Sequence, residues 1–165
     1  MGTDLEELII VKLDNGRGIL ANRNFESGEK ILKFKGQILR REELPVPYLA
    51  VEDHYMQIGE RLYLGPSGDK DDLINHSCQP NTGVKIRGKR VFLFSIKAIK
   101  KGEEITWDYS TTMDEDEWEM NCNCKSENCR RRIRDFNHLP KDLQQNYISL
   151  GIVPEFIIKS LQKTI

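Results

Sequence analysis

The polar heptapeptide Asn75-His76-Ser77-Cys78-Gln79-Pro80-Asn81 lies between two apolar segments and decides how the whole chain is interpreted. Taken alone, it predicts a turn or a helix cap, because Asn, Ser and Pro interrupt regular structure and short motifs often arise by chance. Two further motifs accompany it, NGRGILA at residues 15–21 and GEEITWDY at residues 102–109. The three motifs together are far more specific than any one of them.

The composition describes an ordinary single domain. The 165 residues carry 25 Lys and Arg against 26 Asp and Glu, and this balance argues against a dedicated nucleic-acid binder, which has a basic excess. No apolar run approaches the roughly 20 residues of a membrane helix. The start, MGTDLEELIIV, is acidic before its apolar run, which is the reverse of a secretory signal. We therefore expect an intracellular protein that does not bind a membrane.

Short strands separated by turns are predicted on both sides of the heptapeptide. Hairpins are expected at residues 8–21, around an Asp-Asn-Gly turn, and at 84–96, around an Arg-Gly-Lys turn. Further strands are predicted within 31–39 and 55–64 and, as the last one, at 105–107, with a short helix within 42–54. Two helices, at 140–150 and 155–163, end the chain. The expected fold class is mainly β with a short α-helical tail.

Cysteine spacing indicates a metal site. Cys122, Cys124 and Cys129 form a C-x-C-x4-C cluster, and a chain of this length needs no disulfides to build a core. In a reducing compartment such spacing is typical of metal ligands. Zinc takes four thiolate or imidazole ligands, so the cluster is one short. Cys78 or His138 supplies the fourth ligand, unless the cluster is simply three unrelated reduced thiols.

With these motifs in place, the sequence resembles the SET-domain protein lysine methyltransferases, in a compact form with a post-SET zinc segment. The matching pieces are GxG with IxA at 16–21, FxxGE at 25–29, NHSCxPN at 75–81, GEEITxDY at 102–109 and the cysteine cluster at 122–129. The resemblance implies small β-sheets around a pseudoknot in a SET domain at 5–110. It further implies a post-SET zinc segment at 111–135 and a C-terminal helical extension at 136–165.

The resemblance also implies roles for single residues. Those that would bind the methyl donor S-adenosylmethionine are Gly16, Arg17, Gly18, Tyr55, Asn75 and His76. Tyr109 is implied as the catalytic residue, with its hydroxyl directed at the transferring methyl group. The lysine channel would be lined by Trp107, Tyr55 and Phe34, and one structural Zn²⁺ would be held by Cys78, Cys122, Cys124 and Cys129. Core packing is the alternative for Tyr55 and Tyr109, and His76 is expected to pack rather than to act as a base.

Several positions depart from the family pattern. Phe34 and Gln37 stand in FKGQ where the family often has YxGE, so a channel hydroxyl is missing. Asp72 replaces a basic residue near the donor, and Trp107 replaces the Phe or Tyr that helps decide how many methyl groups fit. The methylation state is therefore open. The acidic run DEDEWE at 114–119 indicates a solvated loop or a surface that draws in a basic peptide, with Trp118 packed on the donor or covering the site.

The predicted function is an S-adenosylmethionine-dependent protein lysine N-methyltransferase that acts on a basic protein, histone or non-histone. One alternative is a zinc-stabilised SET-like module that binds a peptide without turnover, and another is methylation of a different amine, such as an N-terminus. Direct nucleic-acid binding is not expected from the near-neutral charge, and the sequence does not predict an oligomeric state.

Overall fold

The computed structural model describes residues 7–47 and 54–163. Its strands are β1 (Leu8–Leu13), β2 (Gly16–Ala21), β3 (Lys30–Lys33), β4 (Ile38–Arg40), β5 (Met56–Gly59), β6 (Leu62–Leu64), β7 (Asn75–His76), β8 (Thr82–Arg87), β9 (Arg90–Ser95), β10 (Thr106–Trp107), β11 (Glu119–Asn121) and β12 (Arg132–Arg134). The helices are α1 (Lys141–Ser149) and α2 (Glu155–Lys163). The predicted fold class is confirmed. No helix in the described ranges has the length and apolarity to cross a membrane.

The strands form several small sheets. β1 pairs with β2, β3-β9-β8 and β4-β6-β5 are three-stranded, and β7 pairs with β10 in parallel. The two predicted hairpins are confirmed as β1–β2 and β8–β9. Within the predicted helix at 42–54, the structure has only a 3-10 turn at Arg41–Glu43, and residues 48–53 lie outside the described part of the chain.

Two strands near the cysteines were not predicted. β11 and β12 pair antiparallel after the strand that we expected to be the last. Their sequences, EMN and RIR, have no strong strand preference. The backbone bond from Cys122 N to Arg131 O, at 2.8 Å, continues this pairing into the cysteine segment. Tertiary contacts therefore create this small sheet, and local propensity does not.

The main core lies between the sheets. Alternate residues of β9, Val91 and Leu93, point inward and are fully buried, together with Ile19 of β2 and Ile105 just before β10. This alternation is the period-two pattern of a sheet with one covered face. The other face of β9 carries Phe92 and Phe94, which are only half-buried.

The helical tail packs against the sheet through its own apolar cluster. Phe136, Tyr147, Ile152 and Ile157 are buried in this cluster. Gly83 of β8 lies beneath Ile152, and a Cβ added at Gly83 would come within 2.3 Å of Ile152 Cγ2. Glycine is therefore needed here to let the tail approach the sheet. The tail is an integral part of the described structure, docked at one end of β8.

Candidate active site

The parallel pairing of β7 with β10 brings the heptapeptide beside the GEEITWDY motif. Trp107 lies opposite His76, and Ser77 N donates to Trp107 O at 3.1 Å. The Asn81 amide brackets the same junction: its Nδ2 donates to Glu104 O at 2.7 Å, and its Oδ1 accepts from Thr106 N at 3.0 Å. Two segments distant in sequence are thereby locked together, as the expected pseudoknot requires.

Asn75 connects this junction to the glycine turn. Its Nδ2 donates to Arg17 O at 3.0 Å and to Glu104 Oε1 at 2.9 Å. A Cβ on Gly18 would lie 2.9 Å from that same nitrogen, so only glycine leaves room for the contact. Gly16 has a φ of +123°, which glycine adopts readily. The turn thus supplies the Arg17 carbonyl oxygen to Asn75 and, at Gly18, the space for that contact. The Arg17 side chain is exposed.

Two polar cavities lie beside Asn75 and His76. The larger, of about 740 Å³, extends along the β1–β2 turn to Lys97 and Lys125. The smaller, of about 290 Å³, reaches Tyr109 and Met120. Both are lined by Asn15, Asn75, His76, Asn123 and Cys124. The cavities are thus parts of one cleft, of a size suited to a small-molecule ligand.

A narrow aromatic cavity lies on another side of Tyr109. It has a volume of about 30 Å³ and is lined by, among others, Phe34, Tyr55, Leu64, Trp107 and Tyr109. The Phe34 and Trp107 rings meet edge to face, with centroids 6.3 Å apart. Tyr55 lines this channel and neither cavity of the cleft, although the resemblance assigned it to both sites. The lining also includes four ionisable residues (Lys35, His54, Asp71 and Asp72), and the small volume admits only a slim group.

Tyr109 is the residue that the cleft and the channel share. Its hydroxyl donates to Ile74 O at 2.7 Å, and its ring lies 4.7 Å from that of Trp107, centroid to centroid. Burial, reinforced by the charge of Glu104, raises the pKa of Tyr109 well above its ordinary value. Tyr109 is therefore a neutral phenol with a fixed orientation, and it can place an oxygen between two sites without acting as a base.

Both ring nitrogens of His76 have partners within the fold. Its Nδ1 accepts a hydrogen bond from Tyr109 N at 3.1 Å, so the proton of the neutral ring is on Nε2, 3.3 Å from Cys78 Sγ. Burial lowers the pKa of His76 to about 4, against the opposing influence of Asp108. The ring thus stays neutral near pH 7 and joins the cysteine cluster to the Tyr109 backbone.

All four cysteine sulfur atoms lie within 4.8 Å of one another. The Sγ of Cys122 is 3.9 Å from that of Cys78 and 3.8 Å from that of Cys129, far beyond disulfide length. These spacings match the edge of a tetrahedron with metal–sulfur bonds of about 2.3 Å. His138, the other candidate ligand, instead contacts Asp116 Oδ1 at 2.8 Å. The donor set fits a metal ion in a closed, four-thiolate shell.

Ionisation of the cluster supports this fit. Burial raises the pKa of Cys78 to about 11 and also raises that of Cys122. Burial opposes ionisation of Cys124 as well, but hydrogen bonds with Ser126 and the Cys78 backbone lower its pKa to about 6. Ionised forms of Cys78 and Cys122 at neutral pH therefore need a nearby cation, which a divalent metal would supply.

A buried charge cluster surrounds Asp108, the residue before Tyr109. Arg130 donates to both carboxylate oxygens at 2.8 Å, and Tyr147 of α1 donates to Oδ2 at 3.0 Å. Arg130 N also lies 3.3 Å from Cys78 Sγ. This cluster joins the central motif, the cysteine segment and the helical tail behind Tyr109. Sequence reasoning missed the role of Arg130, although it directly follows Cys129, and nothing in the sequence marked Tyr147.

The acidic run at 114–119 is held by partners within the chain. Arg41 lies 3.3 Å from Glu115 Oε2 and 2.5 Å from Glu117 Oε2, and His138 contacts Asp116. Arg41 thus bonds two of the five carboxylates of the run, and these contacts tie the run to the rest of the fold without neutralising it.

Trp118 does not cover the site. Its side chain is buried with Met113, Cys122 and Ile133, beside the cysteine cluster. It lines neither the cleft nor the channel. The stretch that follows, residues 120–124, does line the cleft, and sequence reasoning did not identify Met120, Asn121 and Asn123 in it.

Fold and site together define a SET-type domain with a cysteine-rich segment closing one side of its cleft. A family model described as SET domain matches residues 16–110. The chain therefore belongs to the SET-domain family, as its motifs indicated.

Individual relatives agree with this assignment. The chain is 28% identical over 132 residues to histone-lysine N-methyltransferase 2B of Homo sapiens, covering 71% of this chain and 5% of that protein. It is 32% identical over 133 residues to histone-lysine N-methyltransferase ASHH3 of Arabidopsis thaliana, covering 72% and 35%. The crystal structure of KRYPTONITE in complex with mCHG DNA and SAH matches with a TM-score of 0.64 at 22% identity, covering 77% and 29%. The chain thus spans only a minor part of each of these relatives.

We predict that Arg130→Ala lowers the free energy of unfolding by about 3–5 kcal/mol, because it leaves the buried Asp108 carboxylate without its main cation. The side chain of the neighbouring Arg131 is exposed and reaches Asn123 Oδ1 at 3.5 Å, so Arg131→Ala, which keeps the backbone bond to Cys122, should change stability by less than about 0.5 kcal/mol. Urea unfolding of both variants tests this. Equal losses would contradict the role assigned to the Asp108 cluster.

Proposed function

We propose that this chain is an S-adenosylmethionine-dependent protein lysine N-methyltransferase acting on a basic protein. The observation that carries the proposal is the position of Tyr109, which lines both a ligand-sized polar cleft and a narrow aromatic channel. A methyl donor in the cleft and a lysine in the channel would meet at this residue. The relatives named as histone-lysine methyltransferases support the reaction, and histones are the first substrates to test.

The cleft has groups suited to the methyl donor. Its polar ends include Glu104, Lys97 and Lys125, and Asn75 and His76 lie at its centre. Asn75 and the nearby backbone would hold the amino-acid end, and the turn at 16–18 would allow close approach of backbone groups. When bound, the donor supplies a methyl group on a positively charged sulfur. SAH, present in the KRYPTONITE complex, is the demethylated form of that donor.

The channel has the chemistry that a lysine nucleophile needs. A free lysine of pKa about 10.4 is neutral in only about one molecule in 2,500 at pH 7. Burial against Phe34, Tyr55 and Trp107 disfavours an ammonium, and so would the positive charge of a bound donor. The carboxylates of Asp71 and Asp72 line the same channel and act in the opposite direction. The narrow bore also limits the orientations of the side chain, which favours in-line approach. Tyr109 contributes a fixed oxygen at the meeting point and takes up no proton.

The cysteine cluster is proposed to hold one structural Zn²⁺ through Cys78, Cys122, Cys124 and Cys129. A closed thiolate shell leaves no position for a reacting group, so the metal would act on structure alone. It would fasten the segment that carries Asn123 against the cleft, and through His76 it would support Tyr109. We propose the divisions 5–110, 111–135 and 136–165 for the SET domain, the zinc segment and the extension. We further propose that the protein works inside the cell, where thiols stay reduced.

We predict that Tyr109→Phe lowers the rate of methyl transfer by about a hundredfold, the scale of losing one positioned polar group, while donor binding is kept. Mass spectrometry of a panel of basic proteins, after incubation with labelled donor, measures transfer, and calorimetry measures binding. Tyr55→Phe removes a hydroxyl from the channel only and should retain most of the rate. Donor binding by the unaltered protein without transfer to any protein amine would instead favour the binding module, and label at an N-terminus would favour the other amine reaction.

We predict that kcat/KM rises about tenfold per pH unit between pH 6.5 and 9, because the lysine must lose its proton first. Neither internal candidate titrates in this range: the pKa of His76 is lowered to about 4, and that of Tyr109 is raised well above its ordinary value. Melting temperatures at each pH control for unfolding. A flat or falling profile above neutral pH would contradict direct attack by a neutral amine.

We predict about one zinc per chain by elemental analysis, with loss of the metal in Cys129→Ser. Removal should expose the backbone amides of residues 119–134 to hydrogen exchange and weaken donor binding, because Asn123 and Cys124 line the cleft. Ser126→Ala changes a neighbour of Cys124 without removing a ligand, so it should retain the zinc. Unchanged exchange and donor binding after chelation would show that the four cysteines do not form the proposed site.

A further inference from the structure

Positive charge is segregated along this near-neutral chain. Residues 73–102 contain no Asp or Glu, yet they carry seven basic residues: Lys85, Arg87, Lys89, Arg90, Lys97, Lys100 and Lys101. The net charge of −1 therefore conceals a strongly basic block balanced by acidic residues elsewhere. A local block of basic residues can form a positively charged binding surface even when the net charge of the whole chain is close to zero.

Two residues of this block, Lys85 and Arg87, share one face of the β3-β9-β8 sheet with two lysines of β3. In β9, Val91 and Leu93 face the core, so Phe92 and Phe94 face outward. On β8 the same alternation places Lys85 and Arg87 outward. On β3, Lys30 and Lys33 lie opposite Phe94 and Phe92 in the strand register. We call this surface the basic sheet face, defined by Lys30, Lys33, Lys85, Arg87, Phe92 and Phe94.

The phenylalanines occupy the central strand, and the cations flank them on both sides. The two rings meet edge to face with centroids 6.5 Å apart. Lys85 Nζ lies 5.0 Å from the Phe94 ring centroid, and the Arg87 guanidinium lies 6.0 Å from it. The rings are half-buried, so part of each remains accessible. An aromatic centre between two rows of cations is the layout of a surface that binds both base and phosphate.

The cations of this face have no acidic partners within residues 7–47 and 54–163. Lys30, Lys33, Lys85 and Arg87 form no ion pair there, whereas Arg23, Arg41, Arg130 and Arg132 all do. The tail reaches this face at Gly83, the register partner of Phe94, where Ile152 packs. Four cations thus remain available to an external polyanion, and none of them lines the cleft or the channel. Lys35, which does line the channel, is paired with Asp69.

We propose that the basic sheet face binds single-stranded nucleic acid, with phosphates on the four cations and bases against Phe92 and Phe94. Duplex DNA fits less well, because reading its grooves needs an inserted helix or ribbon, and this face is a sheet. An acidic peptide would use the cations and leave the rings without a role. An anionic membrane requires apolar groups that insert, whereas these rings are half-buried between charges.

Fluorescence anisotropy with fluorescein-labelled U20 and dT20 tests this proposal on the whole chain. Lys85→Glu combined with Arg87→Glu should weaken binding of both strands at least tenfold. It should also lower the slope of log affinity against log salt by about 1.4, since each phosphate contact contributes about 0.7. Arg40→Glu combined with Lys141→Glu makes the same change in net charge on exposed residues elsewhere, and it should leave the affinity within about threefold.

The aromatic contribution is tested separately. Phe92→Leu and Phe94→Leu keep an apolar side chain and remove the ring, so each should weaken binding about fivefold or more, the lower range for base stacking. Ultraviolet cross-linking of the unaltered protein to U20 should label peptides that contain residues 85–94, which keeps the test decisive if a variant unfolds. The proposal fails if neither strand binds at low salt or if the cross-links lie elsewhere. It also fails if a 20-base-pair duplex, polyglutamate or phosphatidylserine vesicles bind as tightly.

Discussion

The parallel contact between Asn75–His76 and Thr106–Trp107 is the constraint on which the rest of the structure depends. Only two residues pair on each strand, so the ladder itself is weak. Side-chain bonds reinforce it: the Asn81 amide bonds Glu104 O and Thr106 N of the facing segment, and Thr82 Oγ1 donates to Thr106 O. Because this contact joins distant segments, it brings cleft residues, channel residues and Tyr109 to one point. The site therefore forms only where these two distant segments of the chain come together.

The cysteine segment and the helical tail both support this junction from behind. His76 accepts a hydrogen bond from the Tyr109 backbone on one side of its ring and faces Cys78 on the other. The buried Asp108 carboxylate accepts hydrogen bonds from Arg130 and Tyr147. A metal among the cysteines would therefore act on the orientation of Tyr109 through two residues, without taking part in the reaction. This coupling explains why one of the four cysteines belongs to the central motif.

Motif residues could be predicted from sequence because their chemistry is local. The Gly16–Gly18 turn, the heptapeptide and the cysteine spacing each require particular residue types, and the fold class followed from the pattern of short strands and turns. Arg130, Tyr147 and Asn123 could not be predicted, because their importance depends on where tertiary contacts place them. The distribution of charge could not be predicted either. The composition shows nearly equal numbers of acidic and basic residues, whereas the strand register places Lys30, Lys33, Lys85 and Arg87 on one face.

A crystal structure of the chain with SAH and a lysine-containing basic peptide would test whether donor and lysine meet at Tyr109. We expect SAH in the cleft beside Asn75 and His76, and the lysine side chain between Phe34, Tyr55 and Trp107. The sulfur atom and the lysine nitrogen should approach each other next to the Tyr109 hydroxyl. SAH bound away from this cleft, or a peptide bound with no lysine in the channel, would contradict it.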